Sequence, residues 1–356
     1  MIESAWMLPL AGLLVGTIMG ATARWNHFCT LSALERHWYA QDSNGLRTWV
    51  LAATVALVCT QLMLKAGWID LTDSFYLGSS LSLLGAVVGG ILFGLGMALV
   101  GTCAFGALVR LGSGSMRSLI IVTAIGLAAL TAQRGLLGRA RVTWLEPFSI
   151  DMPGTHNQSI AELFEYLTGV SAPLILAILL SAALFYWVFK SVEFRTNWRC
   201  VVTGSVIGLC VSAGWLLTNV LSTILFRQVQ IESASFVMPP GELVLSLIAV
   251  TATIPDYGIG MVVGVVCGSA LCANLANDVH WEACDDAREL SRHLIGAFLM
   301  GVGGVLAAGC TVGQGISAFS TMALSAPIVF VSICVGARIG LQYLIEGSIA
   351  LPGRSS

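Results

Sequence analysis

The sequence predicts an all-α membrane protein with about nine transmembrane helices. Of the 356 residues, 56% are hydrophobic and only 10% are charged, whereas soluble domains carry roughly 25% charged residues. The mean hydropathy is +0.86. Nine apolar runs approach the ~20 residues that a helix needs to cross a bilayer. They cover residues 6–23, 48–66, 81–100, 117–133, 172–190, 200–223, 257–276, 294–309 and 322–344. A tenth run, 242–254, is too short for a span.

The distribution of Lys and Arg predicts the orientation. An odd number of spans places the termini on opposite sides, and cytoplasmic loops are enriched in basic residues. The loops after spans one, five and seven share one side. Their basic residues are Arg24, Arg36, Arg47, Lys190, Arg195, Arg199, Arg288 and Arg292. We therefore expect an outer N-terminus and a cytoplasmic C-terminus, although Arg134, Arg139 and Arg141 fall on the outer side and argue against this orientation.

Two segments share a pattern of glycine and cysteine. Residues 94–106 and 301–313 both read G-x-G-x₆-C-x-x-G, at a shift of 207 residues. Internal repeats in transporters mark two related halves that meet around a site near the midplane. Because the predicted topology gives the two motif helices opposite directions, we expect inverted repeats within one transport domain. The domain covers residues 1–356. Its two halves cover approximately residues 1–135 and 240–356, and the connecting helices cover approximately residues 170–225.

A weaker repeat has a simpler explanation. The spacing G-x₃-G-x₃-G occurs in the first span, at Gly12, Gly16 and Gly20. It recurs in the seventh span, at residues 260, 264 and 268. These two spans run in the same direction and do not follow the inversion. Small residues at this spacing let membrane helices pack closely, so we expect ordinary helix packing.

The Gly-Cys motifs predict an anion site. Glycine ends helices because it adopts positive φ freely, and a short re-entrant helix can then begin. The N-terminal N–H groups of such a helix favour an anion, and irregular backbone at membrane depth survives only where protein or a cavity surrounds it. A protonated thiol is a soft, weak donor, which favours a sulfur-bearing anion. The predicted site residues of the two motifs are Gly101, Cys103, Gly309, Cys310, Thr311 and Gly313.

The other cysteines give weaker signals. Cys29 follows the first span, beside Arg24 and His27, where a boundary loop with snorkelling charges is the alternative. For Cys103 and Cys310 the alternative is close helix packing. No Cys/His spacing of a metal site is present, so we expect no metal and no cofactor. No basic patch for nucleic acid is present either.

On these residues the chain resembles the YeeE/YedE family of sulfur-compound membrane transporters. The segments that carry the resemblance are a loose R-x-x-F-C from Arg24 to Cys29, VGTCAFG (100–106), AAGCTVGQG (307–315) and GARIG (336–340). The resemblance implies import of thiosulfate, or a close sulfur anion, across the bacterial inner membrane. It also implies a small cytoplasmic sulfur-carrier protein as a partner, besides membrane lipid.

The same resemblance implies a cysteine relay. Cys29, Cys103 and Cys310 match the three family thiols, which pass the anion on through S–H···S contacts without a covalent intermediate. Thr102 stands where glycine is more usual in the family. A selenium compound or sulfite therefore remains an alternative substrate.

Two further hypotheses concern energetics and function class. A dianion that enters against −100 mV meets about 4.6 kcal/mol from the charge-times-potential rule, so either an ion is coupled or cytoplasmic consumption drives uptake. Asp256, after Pro255, is the best candidate for coupling, and a helix-end acid without such a role is the alternative.

A membrane sulfurtransferase that forms a cysteine persulfide needs a cation or His near its thiol, and only Cys29 has both nearby in sequence. A purely structural helical protein is a third alternative.

Overall fold

The computed structural model describes residues 6–72, 74–78, 80–144, 149–151, 158–169, 173–225, 230–249, 255–282 and 286–346. The α-helices are α1 (Met7–Trp25), α2 (Thr30–Tyr39), α3 (Asn44–Lys65), α4 (Leu83–Val100), α5 (Ala104–Gly112), α6 (Met116–Gln133), α7 (Leu136–Trp144), α8 (Ile160–Thr168), α9 (Pro173–Phe189), α10 (Val192–Thr196), α11 (Trp198–Leu225), α12 (Met238–Ile248), α13 (Tyr257–Leu275), α14 (Ala287–Leu306) and α15 (Ser325–Glu346). A 3₁₀ turn, Phe75–Leu77, and a π-helix, Gly313–Ala318, complete the helical elements. The short strands β1 (Ser80–Leu81) and β2 (Ile150–Asp151) pair antiparallel.

Long apolar helices confirm the predicted all-α, multi-pass membrane fold. Seven described helical segments are long and apolar enough to cross a bilayer. They are Met7–Tyr39, Asn44–Lys65, Leu83–Gly112, Met116–Gln133, Trp198–Ile224, Tyr257–Leu275 and Ser325–Ile345. The predicted spans 172–190 and 294–309 correspond to α9, which has 17 residues, and to α14. Because α14 begins earlier than its apolar run, its first turns carry charged side chains, including Glu289, which pairs with Arg117.

The weaker glycine repeat forms the contact between α1 and α13. A Cβ added at Gly12, Gly16 or Gly20 would collide with backbone oxygens of α13, and glycines 260, 264 and 268 of α13 lie equally close to the backbone of α1. The contacts advance together along both helices, so the two helices run parallel. Small-residue packing, as predicted from the spacing, is the role of this repeat.

Glycines of the two helices that carry the stronger repeat pack against each other. A Cβ added at Gly89 would lie 2.7 Å from the oxygen of Gly303, and one at Gly303 would lie 2.7 Å from the oxygen of Gly89. Gly96 and Gly296 approach each other in the same way. From Gly89 to Gly96 the residue number in α4 rises, while that of the contacted glycine in α14 falls from 303 to 296. The helices α4 and α14 therefore run antiparallel. This direction is the one that the predicted inverted repeat requires for its motif helices.

We expect Gly264→Ala to destabilise the protein. The added methyl group meets backbone of α1, including the nitrogen of Thr17 at 2.9 Å, and neither helix can yield without separating. Overpacking of this kind costs about 1–3 kcal/mol. The measurement is the thermal unfolding midpoint of purified protein in detergent. Gly78→Ala is the matched control, because its Cβ would meet nothing closer than 3.9 Å. Equal midpoints for both variants would contradict the assigned contact.

Candidate functional site

The first glycine-cysteine motif breaks its helix as the sequence predicts. The helix α4 ends at Val100, and Gly101 adopts the left-handed conformation with φ 78°. Nothing lies within 4 Å of a Cβ built at Gly101, so glycine is needed there for its backbone conformation. The Cys103 sulfur then accepts a hydrogen bond from the N–H of Gly106 at 3.2 Å. The thiol thereby caps the short helix α5.

The second motif repeats this geometry at the end of α14. Ala308 and Gly309 have φ of 55° and 155°, and Ala308 stands in the register position of Gly101 in the first motif. The Cys310 sulfur accepts a hydrogen bond from the N–H of Gly313 at 3.3 Å. The π-helix Gly313–Ala318 continues from this point. Both motif cysteines therefore hold a backbone N–H with the sulfur lone pair, which leaves the S–H proton for another acceptor.

All three predicted cysteines are helix N-cap residues. The carbonyl of an N-cap residue accepts the first intrahelical hydrogen bond, from the N–H four residues on. The Cys29 carbonyl accepts from the N–H of Ala33 at 3.0 Å. The Cys103 carbonyl accepts from Ala107 at 2.9 Å, and the Cys310 carbonyl accepts from Gln314 at 2.8 Å. Each thiol thus stands at the N-terminal end of a helical segment, where the backbone dipoles favour negative charge.

Gln314 stabilises the strained backbone before Cys310. Its buried side-chain nitrogen donates to the carbonyls of Ala307 and Ala308, both at 3.0 Å, and its oxygen accepts from Ser325 at 3.3 Å. A non-glycine residue at positive φ is uncommon, and these bonds hold Ala308 there. The AAGCTVGQG segment contains Gln314, but its spacing gave no indication of this positioning role.

The structure brings two of the three thiols together. The Cys29 sulfur lies 3.9 Å from the Cys103 sulfur and 3.6 Å from the Thr102 hydroxyl. Gly106 leaves room for this cluster, since a Cβ there would lie 3.2 Å from the Cys29 sulfur. Cys29 is half-buried, and Cys103 is fully buried. These residues form what we call the paired-thiol site.

Cys310 lies beyond a cluster of phenylalanine rings. The ring of Phe105, two residues after Cys103, lies 6.3 Å from the ring of Phe28 and 4.8 Å from that of Phe236. The backbone of Phe236 in turn interacts with the Cys310 thiol. The three rings are buried. This aromatic cluster, which the sequence did not predict, thus links the surroundings of Cys103 to those of Cys310.

Two cavities converge on the backbone just before Cys310. One, of about 530 Å³, is lined by residues that include Gln158 and Gln314. The other, of about 200 Å³, reaches Glu232 and Gly309. The residues that line both cavities are Phe75, Tyr76, Arg141, Val305 and Ala308. The larger volume is within the range of small-ligand pockets. Cys310 itself is buried, at 1% exposure, and directly follows Gly309, which lines the smaller cavity.

Acidic residues form one wall of the smaller cavity. Asp256 caps α13, since its carboxylate accepts the N–H of Tyr257 at 2.7 Å, and the Glu232 carboxylate accepts the N–H of Gly258 at 3.1 Å. Burial, followed by the negative charges of Asp256 and Glu242, raises the pKa of Glu232 well above its usual range. A raised pKa favours the neutral carboxyl, which does not repel an anion. Sequence reasoning singled out Asp256 but missed Glu232, which lies outside every predicted span.

Tyr76 is a second residue that the sequence did not indicate. Burial is the largest cause that raises the pKa of the Tyr76 hydroxyl, followed by its closeness to Cys310 and Glu232, so it remains a neutral donor. Its oxygen lies 3.0 Å from the Cβ position of Gly313, next to Ser235 at 3.4 Å. These two hydroxyls place hydrogen-bond donors between the cavities and Cys310. Within the described ranges, no group of three or more His, Cys, Asp or Glu side chains is arranged to hold a metal ion.

Comparisons with known proteins identify the family of this chain. A family profile described as "Sulphur transport" matches residues 26–339. The thiosulfate transporter TsuA of Escherichia coli K12 is 25% identical over 328 residues, which cover 86% of this chain and 86% of that protein. The thiosulfate transporter TsuA of Spirochaeta thermophila is 23% identical over 333 residues, covering 91% and 96% respectively.

The family match covers all three site cysteines and most of the described helices. It makes the chain a multi-pass membrane transporter of a small sulfur compound and not an enzyme, so the sulfurtransferase alternative is not supported. The resemblance to YeeE/YedE proteins that the motifs indicate is thereby confirmed. The chain belongs to the sulphur transport family.

Proposed function

We propose that the protein imports thiosulfate, or a closely related sulfur anion, along a path that its cysteine thiols line. The observation that carries this proposal is the matched pair of helix breaks, each with a cysteine at the start of a short helical segment and its sulfur bonded to the N–H three residues on. The names of the two relatives support thiosulfate as the substrate. Selenium compounds and sulfite remain the alternative anions.

The path follows the geometry of the site. The anion enters the cavities beside Tyr76 and Arg141, meets Cys310, and passes the aromatic cluster to Cys103 and Cys29. At each cysteine the helix dipole balances negative charge, while the S–H group contacts the terminal sulfur. No covalent intermediate is needed, because each thiol keeps its proton and acts as a hydrogen-bond donor.

We further propose a location in the bacterial inner membrane, with an outer N-terminus and a cytoplasmic C-terminus. The ion pair between Arg24, at the end of α1, and Asp278, after α13, supports a common side for the two loops that follow these parallel helices. Cys310 is then near the outer entrance, and the paired-thiol site faces the cytoplasm. A small cytoplasmic sulfur-carrier protein would receive the anion there.

We expect Cys310→Ala and Cys310→Ser to abolish most thiosulfate uptake. Alanine removes the thiol, and serine replaces a soft donor by a hard one that suits a sulfur atom poorly. The measurement is uptake of radiolabelled thiosulfate by cells that lack their own sulfate and thiosulfate importers, at equal membrane expression. Cys210→Ala is the matched control, because Cys210 is also buried but belongs to α11, outside both motifs.

Each outcome of that assay has a distinct meaning. Full uptake by Cys310→Ala would contradict the thiol-lined path but leave thiosulfate transport intact. Absence of uptake by the wild type would contradict thiosulfate as the substrate, and labelled sulfite and selenium compounds are then the next anions to test.

We propose that cytoplasmic consumption, and not a coupled proton, drives net import. In proteoliposomes without metabolism we therefore expect thiosulfate to equilibrate, unchanged by a protonophore. Asp256→Asn retains an N-cap side chain, and Glu232→Gln mimics the neutral carboxyl that the raised pKa of Glu232 favours, so both variants should transport like the wild type at neutral pH. Accumulation that collapses with the proton gradient, and is lost in either variant, would contradict this mechanism.

A further inference from the structure

Each of the three site cysteines has a threonine as its immediate neighbour in sequence. The pairs are Cys29 and Thr30, Thr102 and Cys103, and Cys310 and Thr311. The three threonine side chains are buried, with exposures of 2%, 1% and 1%. The sequence motifs placed Thr311 in the site for the backbone amides at its helix start, and noted that Thr102 replaces a glycine that is more usual in the family. They gave no role to the three hydroxyls.

The hydrogen bonding of these threonines is incomplete. Among the residues that the structure describes, the hydroxyls of Thr30 and Thr311 have no hydrogen-bond partner. The Thr102 hydroxyl makes only long contacts, 3.4 Å to the Cys103 carbonyl and 3.6 Å to the Cys29 sulfur. Buried polar groups are nearly always hydrogen-bonded in native proteins. Two unpartnered hydroxyls and a third with only long contacts, each next to a site cysteine, therefore require an explanation.

Three other buried threonines show a common arrangement for this residue. The hydroxyls of Thr48, Thr54 and Thr218 each bond the carbonyl four residues earlier, at 2.7–2.9 Å. That bond is the normal solution for threonine inside a helix. Thr30 and Thr311 stand in the first helical position after their N-cap cysteines, and Thr102 directly precedes its own. These positions leave the hydroxyl at the same helix end as the thiol.

We propose that the Thr30, Thr102 and Thr311 hydroxyls are substrate-binding groups that donate hydrogen bonds to the oxygen atoms of the transported anion. This inference rests on the proposed function and adds a specificity element to it. A hydroxyl is a harder and stronger donor than a thiol. Each cysteine-threonine pair thus offers a soft donor to terminal sulfur and a hard donor to oxygen. An anion that carries both atom types, as thiosulfate does, matches the pair better than sulfide or an organic anion.

The test replaces each hydroxyl by a methyl group of equal size. We expect Thr311→Val and Thr102→Val to raise the KM for radiolabelled thiosulfate about tenfold each, as for the loss of one hydrogen bond to an anion, with Vmax within about twofold. Thr311→Ser and Thr102→Ser should restore the wild-type KM. Thr30→Val should behave like the other valine variants. If a valine variant does not reach the membrane, the alanine variant at that position replaces it.

A second readout separates binding from structure. Because the Thr311 hydroxyl has no partner in the described part of the protein, Thr311→Val should leave the unfolding midpoint of the substrate-free protein unchanged or higher. Thr203→Val is the matched control. That hydroxyl is equally buried and also lacks a partner among the described residues, but it lies on α11, which carries none of the three thiols.

The outcomes distinguish this inference from the proposed function. Normal wild-type uptake with an unchanged KM in all valine variants would overturn the threonine role alone. An equal rise of the KM in Thr203→Val would also overturn the threonine role. So would serine variants that fail to restore the wild-type KM. Absence of thiosulfate uptake by the wild type would overturn the proposed function and this inference together.

Discussion

A helix that breaks inside an apolar protein must satisfy the backbone groups that the break exposes, and much of this structure depends on that constraint. Around the second motif, the Cys310 sulfur bonds the N–H of Gly313, and Gln314 bonds the carbonyls of Ala307 and Ala308. The first motif bonds the N–H of Gly106 in the same way. The cysteines therefore have a structural role as well as the proposed chemical one: they cap the helices whose ends face the proposed anion path.

Glycine makes these breaks possible in two different ways. At Gly101 and Gly309 it permits a backbone conformation that side chains disfavour. Within the long helices, as at Gly89 and Gly303, it permits backbone contact between α4 and α14. This contact brings the antiparallel helices close together and so fixes where their C-terminal breaks lie. The two motifs, which lie 207 residues apart in sequence, thus have similar local structures. This similarity supports the proposal of inverted halves.

Much of this structure was predictable from sequence because the controlling forces are local. Apolar runs of membrane length predict the helices, and glycine beside cysteine predicts the breaks at 101 and 309. The helix α9 lies within one residue of the predicted span 172–190 at each end. The helix α14 begins before the predicted span 294–309, in a charged turn where Glu289 pairs with the distant Arg117. The 3.9 Å approach of Cys29 to Cys103, the aromatic cluster and the placing of Glu232 all join distant segments, so no local pattern could indicate them.

The central claim is that three of the ten cysteines form the transport path and that transport does not require the other seven. The most direct test is a variant that retains only Cys29, Cys103 and Cys310. The residues replaced by alanine are Cys59, Cys200, Cys210, Cys267, Cys272, Cys284 and Cys334. We expect thiosulfate uptake with a KM like that of the wild type from this variant, and none from the complementary variant that keeps the other seven. Uptake by the complementary variant, or its loss in a folded three-cysteine protein, would contradict the account.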